Sequence, residues 1–263
     1  MSEASFNSSV GQSPTHPSPQ RFDRRGVISQ DLYRRFYPDD SLSGTTAFYN
    51  WVRSAVRPDM ALLNLGAGPP SNNRVRAFKG DVKLAAGVDI DPVVLTNPEL
   101  DEARLIVDGK IPYEAGSFDL VLSDFVLEHV EHPALFLTEV RRVLRRGGSF
   151  FFRTPNLWHY TGIIARMTPH VVHEKIANKA RGLSEDAHEP YPTYFRMNTR
   201  GSLNRAARAA GFEKIELKMI EAEPSYMVFN PIVFRLGVAY ERMVNRFEAL
   251  SFMRVNILGH FQA

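Results

Sequence analysis

Between Met60 and Thr154, short apolar runs alternate with stretches of helical spacing. The runs are Met60 to Leu65, Lys83 to Asp89, Arg104 to Val107, Asp119 to Ser123 and SFFFRT up to Thr154. A strand that is apolar throughout is buried on both faces, and crossover helices are what bury it. The alternation therefore predicts an α/β fold with a parallel sheet covered on both sides. One helical stretch follows Leu65, with Val75 and Phe78 on one side and Arg74, Arg76 and Lys79 on the other. A second spans Pro133 to Arg146. Pro133 suits its first turn, Leu135, Leu137, Val140, Val143 and Leu144 suit its buried side, and Gly147-Gly148 ends it.

The flanks break this rhythm. Residues 1–24 are dominated by Ser, Pro, Asn and Gln and bury little area, so they read as a disordered tail. They hold neither a basic n-region nor an apolar h-region of a secretory signal. Residues 25–263 read as one domain. Tyr33 to Tyr37 and Thr45 to Val56 are predicted as helices ahead of the core at 60–154. Residues 155–199 form a long excursion, expected to be a lid or acceptor-binding insertion. Arg200 to Ala210 is a helix capped by Gly211, Glu213 to Met219 alternates like a strand, and Tyr226 to Phe229 is a further candidate strand. The C-terminal segment 232–263 reads as amphipathic helix, with Leu236, Tyr240, Met243, Phe247 and Leu250 on one stripe.

Composition removes several kinds of chemistry. The chain of 263 residues has no cysteine, so disulfides, thiolate catalysis and cysteine-based zinc sites are excluded. A formal charge of only +3 argues weakly for nucleic acid. The most apolar run, YMVFNPIVFRLGVAY, is interrupted by Asn230, Pro231 and Arg235 and is no membrane span. A cytoplasmic location is the expectation.

The stretch LNLGAGPP runs an apolar strand into Gly66 and Gly68. A pyrophosphate-binding turn needs a third glycine, and that position is Ser71. Asp89, at the end of the second strand, stands where a carboxylate meets ribose hydroxyls. Further on come VDGKIPYEAGSFDLVLSDFVLEHVEHP and EVRRVLRRGGSFFFRTPN. In this order and spacing the chain resembles the class I S-adenosylmethionine-dependent methyltransferases, nearest to the group of ubiquinone and menaquinone biosynthetic methyltransferases, over Leu62 to Asn156. The resemblance implies a Rossmann-like seven-stranded sheet with helices on both faces and a helical lid. It implies S-adenosyl-L-methionine as cofactor. Gly66 and Gly68 would pass beneath its methionine part and sugar, Asp89 would bind the ribose, and Ile90 would flank the adenine. Asp108 would accept from the adenine amino group beside Gly109. Ser123 and Asp124 would face the amino-acid end. Asp108 as a turn cap and Asp124 as a helix cap are the alternatives.

Two departures matter. Pro70 stands where many relatives have a small residue and removes one N–H. Some relatives chelate a divalent metal through E-x-x-E-H. Here Phe125 replaces the first ligand of Phe125-Val126-Leu127-Glu128-His129, so no metal is expected. An oxygen acceptor benefits from a base that takes its proton. His129 and His188 are the candidates, with a structural histidine as the alternative for His129; His159, His170 and His173 are further options. Tyr33, Tyr37, Tyr49, Tyr191 and Tyr194 are candidates for packing or for a pocket wall. The expected function is methyl transfer to a small molecule, at an oxygen of a metabolite, glycan or lipid-linked compound. The mixed basic and apolar surfaces of the insertion and the last helix also suit a peripheral membrane contact. A nicotinamide-dependent oxidoreductase and a catalytically silent binding module are the competing readings. A nucleic-acid methyltransferase lacks support, since no N-P-P-Y-type tetrad follows the fourth strand. The acceptor and the oligomeric state are not legible.

Overall fold

The computed structural model describes residues 28–39, 41–167, 191–225 and 227–263. Seven strands form one sheet: β1 (Ala61–Leu65), β2 (Leu84–Asp89), β3 (Glu102–Leu105), β4 (Phe118–Asp124), β5 (Leu144–Pro155), β6 (Lys214–Ile220) and β7 (Asn256–Gln262). Their order is β3-β2-β1-β4-β5-β7-β6. The first five run parallel, and β7 lies antiparallel to both β5 and β6. The helices are α1 (Gln30–Phe36), α2 (Gly44–Ala55), α3 (Pro133–Val143), α4 (Tyr160–Met167), α5 (Arg200–Ala209) and α6 (Pro231–Arg246).

Both sheet faces are covered, as continuously apolar strands demand. On one side, Leu63, Leu65, Val121, Phe150 and Phe152 pack with Leu137 and Val140 of α3 and Leu203 of α5. On the other, Leu62, Leu120, Leu122 and Phe151 pack with Phe48, Tyr49 and Val52 of α2. A third, separate cluster joins Tyr37 and the α1 residues Leu32, Tyr33 and Phe36 to Phe234 and Val238 of α6.

Five sequence expectations are corrected. The stretch after Leu65 is not helical. It turns instead, and Arg53 of α2 supplies the donors that a helix would have found internally: its guanidinium donates to the carbonyls of Arg74, Val75 and Ala77 and pairs with Asp81. Leu135 of α3 is 69 % exposed, because it stands two residues, about 200° around the helix, from Leu137 and so lies opposite the buried stripe of Leu137, Val140 and Val143. The segment 232–263 is not helical throughout; after α6 and a 3-10 turn (Glu248–Met253) it returns as β7. Residues 227–230 form turns rather than a strand, and Tyr226 lies outside the described residues. The expected stripe of α6 is also rotated: Phe234, Gly237, Val238, Glu241 and Val244 are buried instead.

Because β6 is antiparallel to β7, Ile220 and Asn256 meet beside Pro155 at the carboxyl end of β5. The segment 221–255, with α6 in it, therefore sits over the same sheet edge as the ends of β1, β2 and β4.

Candidate functional site

The glycine turn is built by its backbone. Gly66 and Gly68 have φ of +80° and +54°, the left-handed region that favours glycine. The amides of Gly66 and Ala67 donate to the Val88 carbonyl at 2.8 and 3.1 Å, tying the turn to β2. A Cβ on Gly66 would overlap Val126, whereas above Gly68 only Asp89 Oδ2 lies within 4 Å of a built Cβ. The turn is thus closed beneath Gly66 and open above Gly68. Asp89 Oδ2 accepts the Gly68 amide at 2.9 Å and Oδ1 accepts the Asp91 amide at 3.0 Å. A carboxylate offers about four acceptor positions, so positions remain for a cis-diol. Ser71, at the missing third glycine, is an anchor: its amide and hydroxyl donate to Glu99, which also takes the Asn72 amide. Asn97 Nδ2 donates to the Gly68 carbonyl at 3.0 Å.

A cavity of about 320 Å³ lies against this turn, with Tyr49, Gly66, Gly68, Arg76, Asn97 and Asp124 in its wall. Asp124 faces it, but its carboxylate is heavily used. Arg153 Nε and Nη2 donate to it at 2.6 and 2.8 Å, and Arg76 Nη2 at 3.0 Å. Arg153 also reaches Thr45 Oγ1 of α2, and its guanidinium lies 4.4 Å from the Phe125 ring. Arg76 is 38 % exposed and lies over the Tyr49 ring. Burial pushes the Tyr49 hydroxyl up to about 12. Ser123 is fully buried, and its Oγ finds no hydrogen-bond partner among the described residues. Ile90, Asp108 and Gly109 are exposed and stand on the rim beyond β2 and β3, outside the cavity wall. Asp108 and Gly109 hold φ of +51° and +70°. The structure therefore joins Gly66, Gly68 and Asp89 directly, adds Asp124 through the cavity, and leaves the adenine-side candidates at the rim.

The ground past β4 faces the remaining half of the edge. Phe125 sits at φ +58°, an outlier for a bulky side chain, and its amide is held by the Arg153 carbonyl. Glu128 and His129 occupy a 3-10 turn (Leu127–His129). Glu128 points inward and accepts from Thr154 Oγ1 at 3.2 Å; burial lifts its carboxyl to about 7. His129 Nδ1 lies 3.0 Å from the Pro192 carbonyl. A carbonyl can only accept, so Nδ1 carries a proton, and in the neutral ring the lone pair is then on Nε2. Residues 191–195 cross this ground as a strap. The amides of Tyr194 and Phe195 donate to the Glu128 carbonyl, and the Tyr191 hydroxyl reaches Asp91 Oδ2 at 3.5 Å. His188, His170 and His173 lie outside the described residues. His159 is buried, with Nδ1 2.6 Å from Thr161 Oγ1, and burial lowers it to about 3. That is a packed neutral imidazole. Glu128 and His129 diverge, to Thr154 and to Pro192, so they do not converge on one ion.

Sequence reasoning missed Arg76, Arg153, Asn97 and Glu99. Arg153 carried a signal, a single charge inside the apolar run SFFFRT. Arg76 was read as the solvent side of a helix that does not form.

Residues 63–152 match the methyltransferase domain family. The sarcosine/dimethylglycine N-methyltransferase of Halorhodospira halochloris is 34% identical over 141 residues, which is 48% of this chain and 50% of that protein. The ubiquinone biosynthesis O-methyltransferase of Parvibaculum lavamentivorans is 28% identical over 120 residues, 43% of this chain and 47% of its own. The chain spans about half the length of these relatives. The fold matches an S-adenosylmethionine-dependent methyltransferase from Archaeoglobus fulgidus, with TM-score 0.52 and 14% identity over 90% of this chain and 100% of that one. It also matches one from Mesorhizobium loti, with TM-score 0.51 and 16% identity over 84% and 100%. Residues 63–152 thus match a methyltransferase domain, and the whole chain has the fold of S-adenosylmethionine-dependent methyltransferases.

Proposed function

We propose that the protein transfers a methyl group from S-adenosyl-L-methionine to a hydroxyl oxygen of a small-molecule acceptor. The observation that carries this reading is the junction of the glycine turn with Asp89: an open backbone beside a carboxylate with acceptor positions to spare. That suits a nucleoside with no phosphate to cradle. When bound, the cofactor supplies a methyl group on a sulfonium, an electrophile that needs no further activation. The chain's own residues do the rest. Asp89 accepts the ribose hydroxyls, with Asp108 and Ile90 at the adenine. Arg76 has donors beyond the one given to Asp124 and meets the amino-acid carboxylate. Asp124 holds Arg76 and Arg153 in place rather than serving as a free acceptor. Phe125 and the strap 191–195 exclude water from the acceptor side. His129 Nε2 is the base that removes the hydroxyl proton as the new carbon–oxygen bond forms and the carbon–sulfur bond breaks.

The test is calorimetry of the purified chain with S-adenosylmethionine and with its demethylated product, followed by transfer of a labelled methyl to panels of hydroxyl and amine acceptors. Binding of both ligands and label on hydroxyl compounds are expected. A folded chain that binds neither ligand sinks the reading, and label confined to amines sinks its oxygen assignment.

A further inference from the structure

Helix α6 has three sides. One is buried, through Phe234, Gly237, Val238, Glu241 and Val244. A second carries Ile232, Leu236 and Met243, and Phe247 just past the helix end, which are 68, 65, 43 and 56 % exposed. Their spacing places them on one stripe. The third side, about a quarter-turn away, carries Arg235, Arg242 and Arg246, all exposed. Glu241, the one carboxylate of the helix, is buried. Arg242 lies 3.4 Å from it, while Arg235 and Arg246 pair with no acid among the described residues. Phe229 before the helix and Phe252 after it are each 52 % exposed. Helix α1, packed on α6, adds exposed Arg34 and Arg35.

An apolar row in water beside Arg235 and Arg246, two guanidinium groups with no acid partner among the described residues, calls for an occupant with both an apolar interior and negative charge. A second copy of this chain supplies the first and not the second. Twofold pairing through this face would bring arginine stripes together with no exposed carboxylate on either helix to neutralise them. An anionic bilayer supplies both. We propose that α6 lies in the interface of an anionic membrane, with Ile232, Leu236, Met243 and Phe247 at the acyl boundary and Arg235 and Arg246 on lipid phosphates. Since α6 sits over the carboxyl edge of the sheet, docking turns the acceptor side of the crevice toward the bilayer. The inference does not depend on which atom receives the methyl group.

Vesicle flotation of the full chain tests it, with phosphatidylcholine alone and with phosphatidylcholine containing phosphatidylglycerol. Co-flotation with the anionic vesicles only, weakened by added salt, is expected. The double variant Arg235→Glu/Arg246→Glu should lower partitioning by more than about tenfold, and Leu236→Glu should do likewise. All three positions are outside the core, so circular dichroism and melting temperature should stay unchanged. A folded chain that ignores anionic vesicles, binds both vesicle types equally, or is indifferent to these substitutions overturns the proposal. So does light scattering that shows a dimer dissociated by Leu236→Glu, which would assign the face to a second copy.

Discussion

Asp89 accepts the Gly68 and Asp91 amides with one carboxylate, and the ribose contact proposed for it would use its remaining acceptor positions. Asp89→Ala is expected to weaken S-adenosylmethionine binding by ~1–3 kcal/mol, the range for hydrogen bonds to a charged group, as read by calorimetry. Unchanged affinity would refute the ribose assignment. Glu128 makes a second residue-level prediction. Its carboxyl is raised to about 7 in the folded chain, against 4.5 for the free group. The unfolded chain therefore releases this proton first, and Glu128 erodes stability as pH rises from 4.5 to about 7, with its full cost present above that. Glu128→Gln keeps an acceptor for Thr154 and removes the titration. Its stability relative to the parent should rise across that window by on the order of 3 kcal/mol, measured by urea unfolding at several pH values. His159 works in the opposite sense: held at about 3, it adds stability as pH rises to 6.5. The single variant isolates Glu128 from that background. A pH-independent difference would mean that Glu128 is ionised throughout.

At the scale of elements, the turn 66–81 shows how a neighbour replaces a helix. Arg53 of α2 satisfies three of its carbonyls and its acid Asp81. Arg53→Ala should cost about 1.5–3 kcal/mol of folding stability and weaken cofactor binding, since this turn backs the cavity; a melt together with a cofactor titration checks both. No local signal in the sequence reports such a long-range donor, so Arg74, Arg76 and Lys79 read as a polar helix face. Strand β3, at the sheet edge, buries none of its residues and lies at Glu102–Leu105 rather than at Arg104 to Val107, but the other four parallel strands were legible, because burial on both faces leaves apolar runs. Strand β7 was not. Its partners flank it on both sides, so NILGHFQ is buried almost throughout and shows no alternation, and Gly259 in its middle resembles a breaker. That glycine is required: a Cβ there would overlap the Phe152 ring. Gly259→Ala is expected to destabilise the chain by about 1–3 kcal/mol in urea, and a neutral result would mean that β5 and β7 can part. Of the site, Gly66, Gly68 and Asp89 were readable from spacing. The clamp of Arg76 and Arg153 on Asp124 was not, because it joins residues far apart in the chain.

Across the whole molecule, two packed sheet faces carry the cofactor side, while α1 and α6 form a third cluster of their own. Hydrogen exchange should follow that division. Amides of β1, β4, β5 and β7 should exchange only on global unfolding, and those of α1 well before; equal protection of both would show a single cooperative unit. Residues 156–167 leave the sheet at the carboxyl end of β5, and residues 221–225 and 227–255 lie between the end of β6 and the start of β7 at the same edge. Replacement of any of them leaves every strand register untouched. The scaffold is therefore suited to recombination: a graft at that rim alters which molecule is admitted, while the berth proposed for the donor, built on α2, the strands and the turn after β1, is inherited whole.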